Sequence, residues 1–96
     1  MKLTPKQRAI LKGLANPIKE RYRIGKNGLD ENVYALLDHA LEAKELIKVE
    51  FLPAAGMTPA EGAAIFEEKL GCGTVGTIGK IAILYRPSKK NPKIIL

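Results

Sequence analysis

Residues 24–30, IGKNGLD, combine two glycines and a lysine in a way that suits binding of an anion. Glycine at both ends lets the main chain approach a phosphate or adopt positive φ, and Lys26 adds a positive charge. Asp30 is a typical helix N-cap, so the free N–H groups of a helix would lie beside the loop. KH domains hold a nucleic-acid backbone with such a GxxG loop, although a simple turn would use the same residues.

A second glycine motif, GCGTVG at residues 71–76, has the spacing of a dinucleotide-binding turn. That turn follows a strand, opens a helix and is followed about 20 residues later by an acid. Here the motif follows a predicted helix, leads into predicted strands and precedes no acidic residue. We therefore expect no cofactor and assign these glycines to turn and strand-edge positions.

Side chains suited to catalysis or metal binding are few. His39 is the single histidine and Cys72 the single cysteine, so neither a nucleophile pair nor a metal cluster is indicated. The acids Asp38, Glu42 and Glu45 have the spacing of a solvated helix face. We predict no enzymatic activity, no metal and no disulfide, which agrees with a reducing, cytoplasmic compartment.

The formal net charge of +6 is unevenly distributed. Residues 1–29 hold eight Lys or Arg and one acid, residues 30–70 hold three and nine, and residues 71–96 hold five and none. Basic regions attract polyanions by counterion release, so nucleic acid is the expected partner, although surplus lysines also serve solubility. No membrane span or signal peptide is expected, because no long uncharged apolar run occurs.

Helix and strand signals alternate along the first half of the chain. Residues 4–15 predict a helix, because Thr4 can cap it and Pro5 suits its first turn. Residues 18–24, IKERYRI, alternate as a strand does. The apolar positions are Ile10, Leu11 and Leu14 on the helix and Ile18, Tyr22 and Ile24 on one strand face, with Arg21 and Arg23 on the other face.

The second half continues the alternation. A helix from Asp30 to near Lys44 is followed by a strand, LIKVEF, at residues 46–51. Thr58 begins a further helix that Gly62 weakens, and a hairpin around Gly79 and Lys80 ends in a central strand. The apolar positions of the helix after Asp30 are Val33, Leu36, Leu37, Ala40 and Leu41.

This order predicts a single compact α/β domain with the element order α-β-α-β-α-β-β. Strands separated by helices pair mostly in parallel, and the hairpin adds an antiparallel pair. We therefore predict a four-stranded mixed sheet covered by helices in residues 1–87, a basic carboxy-terminal tail at residues 88–96, and a monomer.

Four stretches carry a family resemblance: LKGLANPIK (11–19), IGKNGL (24–29), ALEAKELIKVE (40–50) and IGKIAILYRP (78–87). Through them the chain resembles the CRM domain, the chloroplast RNA splicing and ribosome maturation domain, in its stand-alone YhbY-like form. The resemblance implies a fold similar to the carboxy-terminal domain of bacterial translation initiation factor three, and RNA binding in large ribosomal subunit assembly or intron splicing. Asp30 departs from the Thr or Ser usual in the family, which keeps the cap but removes a hydroxyl.

The resemblance places the RNA surface at the GxxG loop, and the basic residues around it are our further predicted contacts. Five aromatic residues are too few for an extended stacking platform, so recognition should depend on phosphate and shape. The expected partner is rRNA or a pre-ribosomal particle. The alternative is a protein-interaction module of the translation machinery that docks through the acidic helix and the apolar chain end. The predicted RNA-binding residues are Gly25, Lys26, Asn27, Gly28, Lys12, Arg21, Arg23, Lys48 and Arg86.

Overall fold

The computed structural model describes residues 1–96 and has the predicted element order. Three α-helices and four strands alternate, with one 3-10 turn before the third helix. None of the helices has the length and apolar character needed to cross a membrane. The elements are α1 (Pro5–Ala15), β1 (Tyr22–Ile24), α2 (Glu31–Lys44), β2 (Leu46–Phe51), the 3-10 turn (Pro53–Ala55), α3 (Pro59–Leu70), β3 (Gly73–Ile78) and β4 (Ile81–Tyr85).

The four strands form one mixed sheet in the order β1-β2-β4-β3. β1 pairs with β2 in parallel, with Arg23 opposite Glu50, whereas β4 pairs antiparallel with both β2 and β3. β4 is therefore central, as predicted, and β1 and β3 are the edges. The predicted mixed, helix-covered sheet is confirmed, but the expectation of mostly parallel pairing is wrong. Only the β1–β2 pair is parallel, because β4 lies between β2 and β3 and runs antiparallel to both.

Both faces of the sheet are covered, and each has its own core. Phe66 of α3 and Leu37 of α2 pack on the face to which β2 contributes Val49. Leu11 of α1 packs on the opposite face, to which β2 contributes Leu46. α1 lies against β2, β3 and β4 but does not reach β1. On the side of the sheet that α1 covers, β1 is therefore open to solvent.

The predicted strand at residues 18–24 is too long, and the predicted face of Ile18 is wrong. β1 begins at Tyr22, and the N–H of Ile18 donates to the carbonyl of Ala15 in a turn after α1. Ile18 packs with the core under α1, whereas Ile24 faces α2 and α3. The alternation fails because the chain has not yet joined the sheet at Ile18.

The helix caps are as predicted, but parts of the apolar stripes are exposed. Thr4 and Thr58 each form a capping box, and Asp30 Oδ1 accepts a hydrogen bond from the N–H of Val33 at 2.9 Å. Ile10 and Leu14 of α1 are more than 40% exposed, and so is Leu36 of α2. These two helices meet the sheet along faces narrower than their apolar patterns suggest; on α1 the buried residues are Leu11 and Ala15.

Gly62 is required by packing and is more than a weak point in α3. A Cβ atom at this position would lie 2.2 Å from the Phe51 ring, closer than any van der Waals contact allows. The missing side chain lets α3 approach β2 closely. Glycine destabilises a helix interior, but here that cost is offset by the burial of Phe51, which is 3% exposed.

The prediction that the acids of α2 form a solvated face is wrong for Glu42 and Glu45, because the carboxy-terminal tail docks on them. Glu42 accepts hydrogen bonds from the Ser88 hydroxyl at 2.6 Å and from the N–H groups of Lys89 and Lys90. Asp38 Oδ1 instead accepts a hydrogen bond from Arg86 Nη1 at 2.6 Å. The sequence spacing was correct for one helix face, but the partner of that face lies more than forty residues away.

Glu45 is the most deeply buried of these acids, with 1% of its surface exposed. It ends α2 with a φ of 66°, unusual for a residue with a side chain, and its carboxylate accepts N–H groups of Ser88, Lys93 and Ile94 at 2.8–2.9 Å. Burial alone would raise the pKa of this carboxyl, but the three backbone donors lower it below its ordinary value. Hydrogen bonds from Lys89 and Ser88 likewise lower the pKa of Glu42 to about 2.

Candidate nucleic-acid interface

The GxxG loop connects β1 to α2 and exposes Lys26 and Asn27 at its tip. The N–H of Gly28 donates to the carbonyl of Gly25 at 3.0 Å, which closes a tight turn. Gly28 has a φ of 65°, so glycine is favoured there. At Gly25 φ is not positive, and an added Cβ would make only an ordinary contact with Leu52 at 3.9 Å.

The start of α2 is less suited to a phosphate than the sequence suggests. Asp30 caps the helix through the N–H of Val33, and Glu31 adds a second carboxylate in the first turn. These two acids offset the positive end of the helix dipole. An anion at the loop would therefore depend on Lys26 and on the neighbouring strand.

Arg21, which immediately precedes β1, and Arg23 on β1 lie on the open face of the sheet edge, in the segment that leads into the loop. Their side chains are 41% and 62% exposed, and both approach Glu50 Oε1 of β2, at 3.5 and 3.3 Å. That oxygen is buried and accepts no hydrogen bond of good geometry. A phosphate at this face would therefore compete with the Glu50 carboxylate for the two guanidinium groups.

Lys48 extends the same basic surface on β2, next to Glu50. Its Nζ donates to the carbonyl of Ile18 at 2.8 Å, and its side chain is half-buried. Lys48 therefore has two of its three ammonium hydrogens left for other acceptors. We call the GxxG loop together with Arg21, Arg23 and Lys48 the basic edge.

Lys80 is a candidate that the sequence interpretation missed. It is exposed in the β3–β4 turn, and its carbonyl accepts the N–H of Phe51 at 2.8 Å. Phe51 pairs in turn with Ile24, immediately before the loop. Lys80 thus lies about 10 Å from the start of the loop, two strand spacings away. The sequence did show a lysine at the turn of the predicted hairpin. Only the order of the strands in the sheet, however, shows that this turn lies near the GxxG loop.

Two predicted contacts lie away from the basic edge. The Lys12 side chain packs over Gly76 of β3, at the opposite edge of the sheet and roughly 14 Å from β1 by strand spacing. Arg86 is 8% exposed and bonds to Asp38 and to the carbonyl of Leu70 at 3.0 Å. This geometry gives Arg86 a role in joining β4 to α2 and α3, and it leaves little of the guanidinium open to a phosphate.

His39, Cys72 and the GCGTVG glycines lie outside the basic edge. His39 is exposed on α2, whereas burial, followed by the charge of Glu67, raises the pKa of Cys72 to about 11. Gly71 ends α3 with a φ of 67°, and Gly73 begins β3. The GCGTVG motif therefore leads from a helix into a strand, as predicted, and lacks the strand-to-helix context of a dinucleotide site.

Comparison with known proteins assigns the chain to a family. The model of the CRS1/YhbY (CRM) domain matches residues 3–86. The chain therefore belongs to the CRM domain family, in agreement with the resemblance noted in its sequence.

Relatives span nearly the same length. A Haemophilus influenzae protein named "RNA-binding protein" is 39% identical over 92% of this chain and 89% of its own. A Bacillus subtilis protein named "Probable RNA-binding protein YqeI" is 34% identical over 98% of both chains. The solution structure of SAV1595 from Staphylococcus aureus superposes with a TM-score of 0.77, at 35% identity over 99% of each chain.

Proposed function

We propose that this protein binds RNA, and that the basic edge contacts the RNA backbone. The observation that supports this most is the juxtaposition of exposed Lys26 with Arg21 and Arg23 on one open strand face. The names of two full-length relatives, which describe RNA-binding proteins, support the choice of RNA as the polyanion. Lys80 extends the surface along the same end of the sheet.

We further propose that the RNA is ribosomal and that the protein acts during large-subunit assembly or RNA processing in the cytoplasm. This rests on the resemblance to stand-alone CRM proteins. The protein-interaction alternative receives less support, because the acidic face of α2 is already occupied by the tail of the same chain. A pre-ribosomal particle offers structured phosphate backbone in quantity, which suits recognition by charge and shape.

Titration with structured rRNA fragments over a salt series tests the proposal. Backbone contacts predict that log Kobs falls linearly with log salt, by about 0.7–0.9 per phosphate contacted. Reversing Arg23 and Lys26 together (Arg23→Glu with Lys26→Glu) removes two such contacts, so it should reduce that slope by about 1.4–1.8 and lower the affinity at least tenfold.

A matched control keeps the overall charge change the same. Lys6→Glu with Lys69→Glu reverses two exposed lysines on α1 and α3, and should leave the slope within about 0.5 of that of the unmodified protein. Equal losses in both double variants would mean that net charge alone attracts RNA. Unchanged binding by the Arg23/Lys26 variant would show that the basic edge is the wrong site.

A further inference from the structure

A cleft of about 150 Å³ lies between the segment leading into β1 and the start of β2. Ile18 and Leu46 provide apolar wall, and the Tyr22 ring forms one side. The volume is well below that of pockets for drug-sized ligands, so it suits a single ring system. The polar residues at this cleft are Glu20, Lys44 and Lys48.

The polar groups of the cleft present a donor next to an acceptor. Lys44 Nζ donates to Glu20 Oε2 at 3.2 Å and to the Tyr22 hydroxyl at 3.1 Å, and it lies 5.4 Å from the centroid of the Tyr22 ring. Side chains of Glu20 and Lys44 are 79% and 43% exposed. Because an exposed ion pair contributes little to stability, both groups can turn toward a ligand at small cost.

The cleft is continuous with the basic edge. Tyr22 precedes Gly25 by three residues, about 10 Å along a strand, and Arg23 lies between them. Lys48 belongs to both the cleft and the basic edge. A chain of phosphates on the basic edge would therefore bring the attached bases within reach of the cleft.

We propose that this cleft receives one unpaired base of the RNA that the basic edge binds, an inference that rests on the proposed function. The flat ring lies against Tyr22 and the aliphatic wall, since aromatic contact with a base needs no particular sequence. Lys44 donates to a ring nitrogen or carbonyl of the base, and Glu20 accepts from an amino or imino N–H. One such base would anchor the register of an interaction that otherwise depends on charge.

An abasic scan tests this proposal on the full-length protein. The probe is a hairpin rRNA fragment that the protein binds, prepared with one loop base at a time replaced by an abasic ribose. Removal of the base that enters the cleft should weaken binding roughly 5- to 140-fold, as expected for stacking of a single base. Removal of the other loop bases should change affinity much less.

Variants connect the effect to the cleft. Tyr22→Leu, which keeps an apolar side chain, should bind intact RNA as weakly as the unmodified protein binds the critical abasic RNA, and it should lose nothing more on that RNA. Lys44→Met on the exposed last turn of α2 should show the same pattern with a smaller loss. This variant replaces Tyr22→Leu as the test if Tyr22→Leu does not fold. Tyr34→Leu, a tyrosine that packs on Phe66 away from the cleft, is the control and should keep the full base dependence.

The outcomes separate the two proposals. If every abasic RNA binds as tightly as the intact one, or if Tyr22→Leu and Lys44→Met keep the base dependence, the cleft does not receive a base. Salt-dependent binding through the basic edge would then still stand. Absence of RNA binding by the unmodified protein would overturn both.

Discussion

Replacing Glu45 by glutamine should release the carboxy-terminal tail from α2 while the rest of the fold stays in place. The Glu45 carboxylate accepts three backbone N–H groups, from Ser88 on one oxygen and from Lys93 and Ile94 on the other. Glutamine keeps one oxygen for two of these donors and turns its own NH₂ toward the third. The charge assistance of all three hydrogen bonds is lost.

The magnitude follows from these contacts. A hydrogen bond to a charged acceptor contributes about 1.5–3 kcal/mol and one to a neutral acceptor about 1 kcal/mol. With two of these bonds weakened and the third lost, Glu45→Gln should cost at least about 2.5 kcal/mol. The cost is limited by the free energy with which the tail docks. Urea unfolding measures the loss in the free energy of unfolding. Hydrogen exchange should show that the amides of Ser88, Lys93 and Ile94 lose their protection.

The same contacts predict a dependence on pH. The folded-state pKa of Glu42 is about 2 and that of Glu45 is also lowered, against an ordinary value of 4.5. Their contribution to stability is therefore complete above the unfolded-state pKa near 4.5, and it is lost as the pH falls from there toward 2. Unfolding at pH 7, 5 and 3 should show this loss in the unmodified protein and a smaller one in a Glu42→Gln/Glu45→Gln double variant.

Glu68→Gln, on the exposed surface of α3, is the control for loss of one negative charge. The reasoning would be refuted if Glu45→Gln kept its tail amides protected and unfolded within about 0.5 kcal/mol of the unmodified protein, as an ordinary surface substitution does.

Three other changes test the packing, the basic edge and Arg86. Gly62→Ala should lower the free energy of unfolding by about 2–3 kcal/mol, because its Cβ would overlap the Phe51 ring. Gly13→Ala on α1, where an added Cβ meets nothing, should raise it by about 0.5–1 kcal/mol, and urea titration measures both changes. Glu50→Gln should raise RNA affinity about 2- to 5-fold at low salt in fluorescence anisotropy, since the two arginines lose their competing carboxylate; an unchanged affinity would argue against that competition. Arg86→Met should cost about 2–3 kcal/mol of stability and leave the salt slope of RNA binding unchanged, whereas a slope reduced by about one would support the predicted phosphate contact.

Local chemistry made the starts of the three helices predictable. The side chains of Thr4, Asp30 and Thr58 bond to backbone N–H groups three residues away, so their cap positions can be recognised within a short stretch of sequence. Alternation also located β2 correctly, because all six of its residues are paired or buried in the sheet. These signals act within a few residues of one another.

Contacts between distant residues could not be predicted in the same way. The approach of Glu50 to Arg23 depends on the register of β1 against β2, and the docking of the tail on Glu45 joins residues more than forty positions apart. Ile10 and Leu14 match a helical apolar pattern, yet they are exposed because α1 meets the sheet along a single narrow face. The position of the GxxG loop was predictable, whereas its role in RNA binding is still a prediction.

An NMR titration of the full-length protein with a structured rRNA fragment tests the central claim most directly. Backbone amide signals would be followed in two-dimensional ¹H–¹⁵N spectra as RNA is added at low salt. The proposed function predicts that the largest shifts fall on residues 21–28, with Lys48 and Lys80 also affected, and that α3 changes little. Shifts centred on α3 or on the carboxy-terminal tail, or no shifts at all, would contradict it.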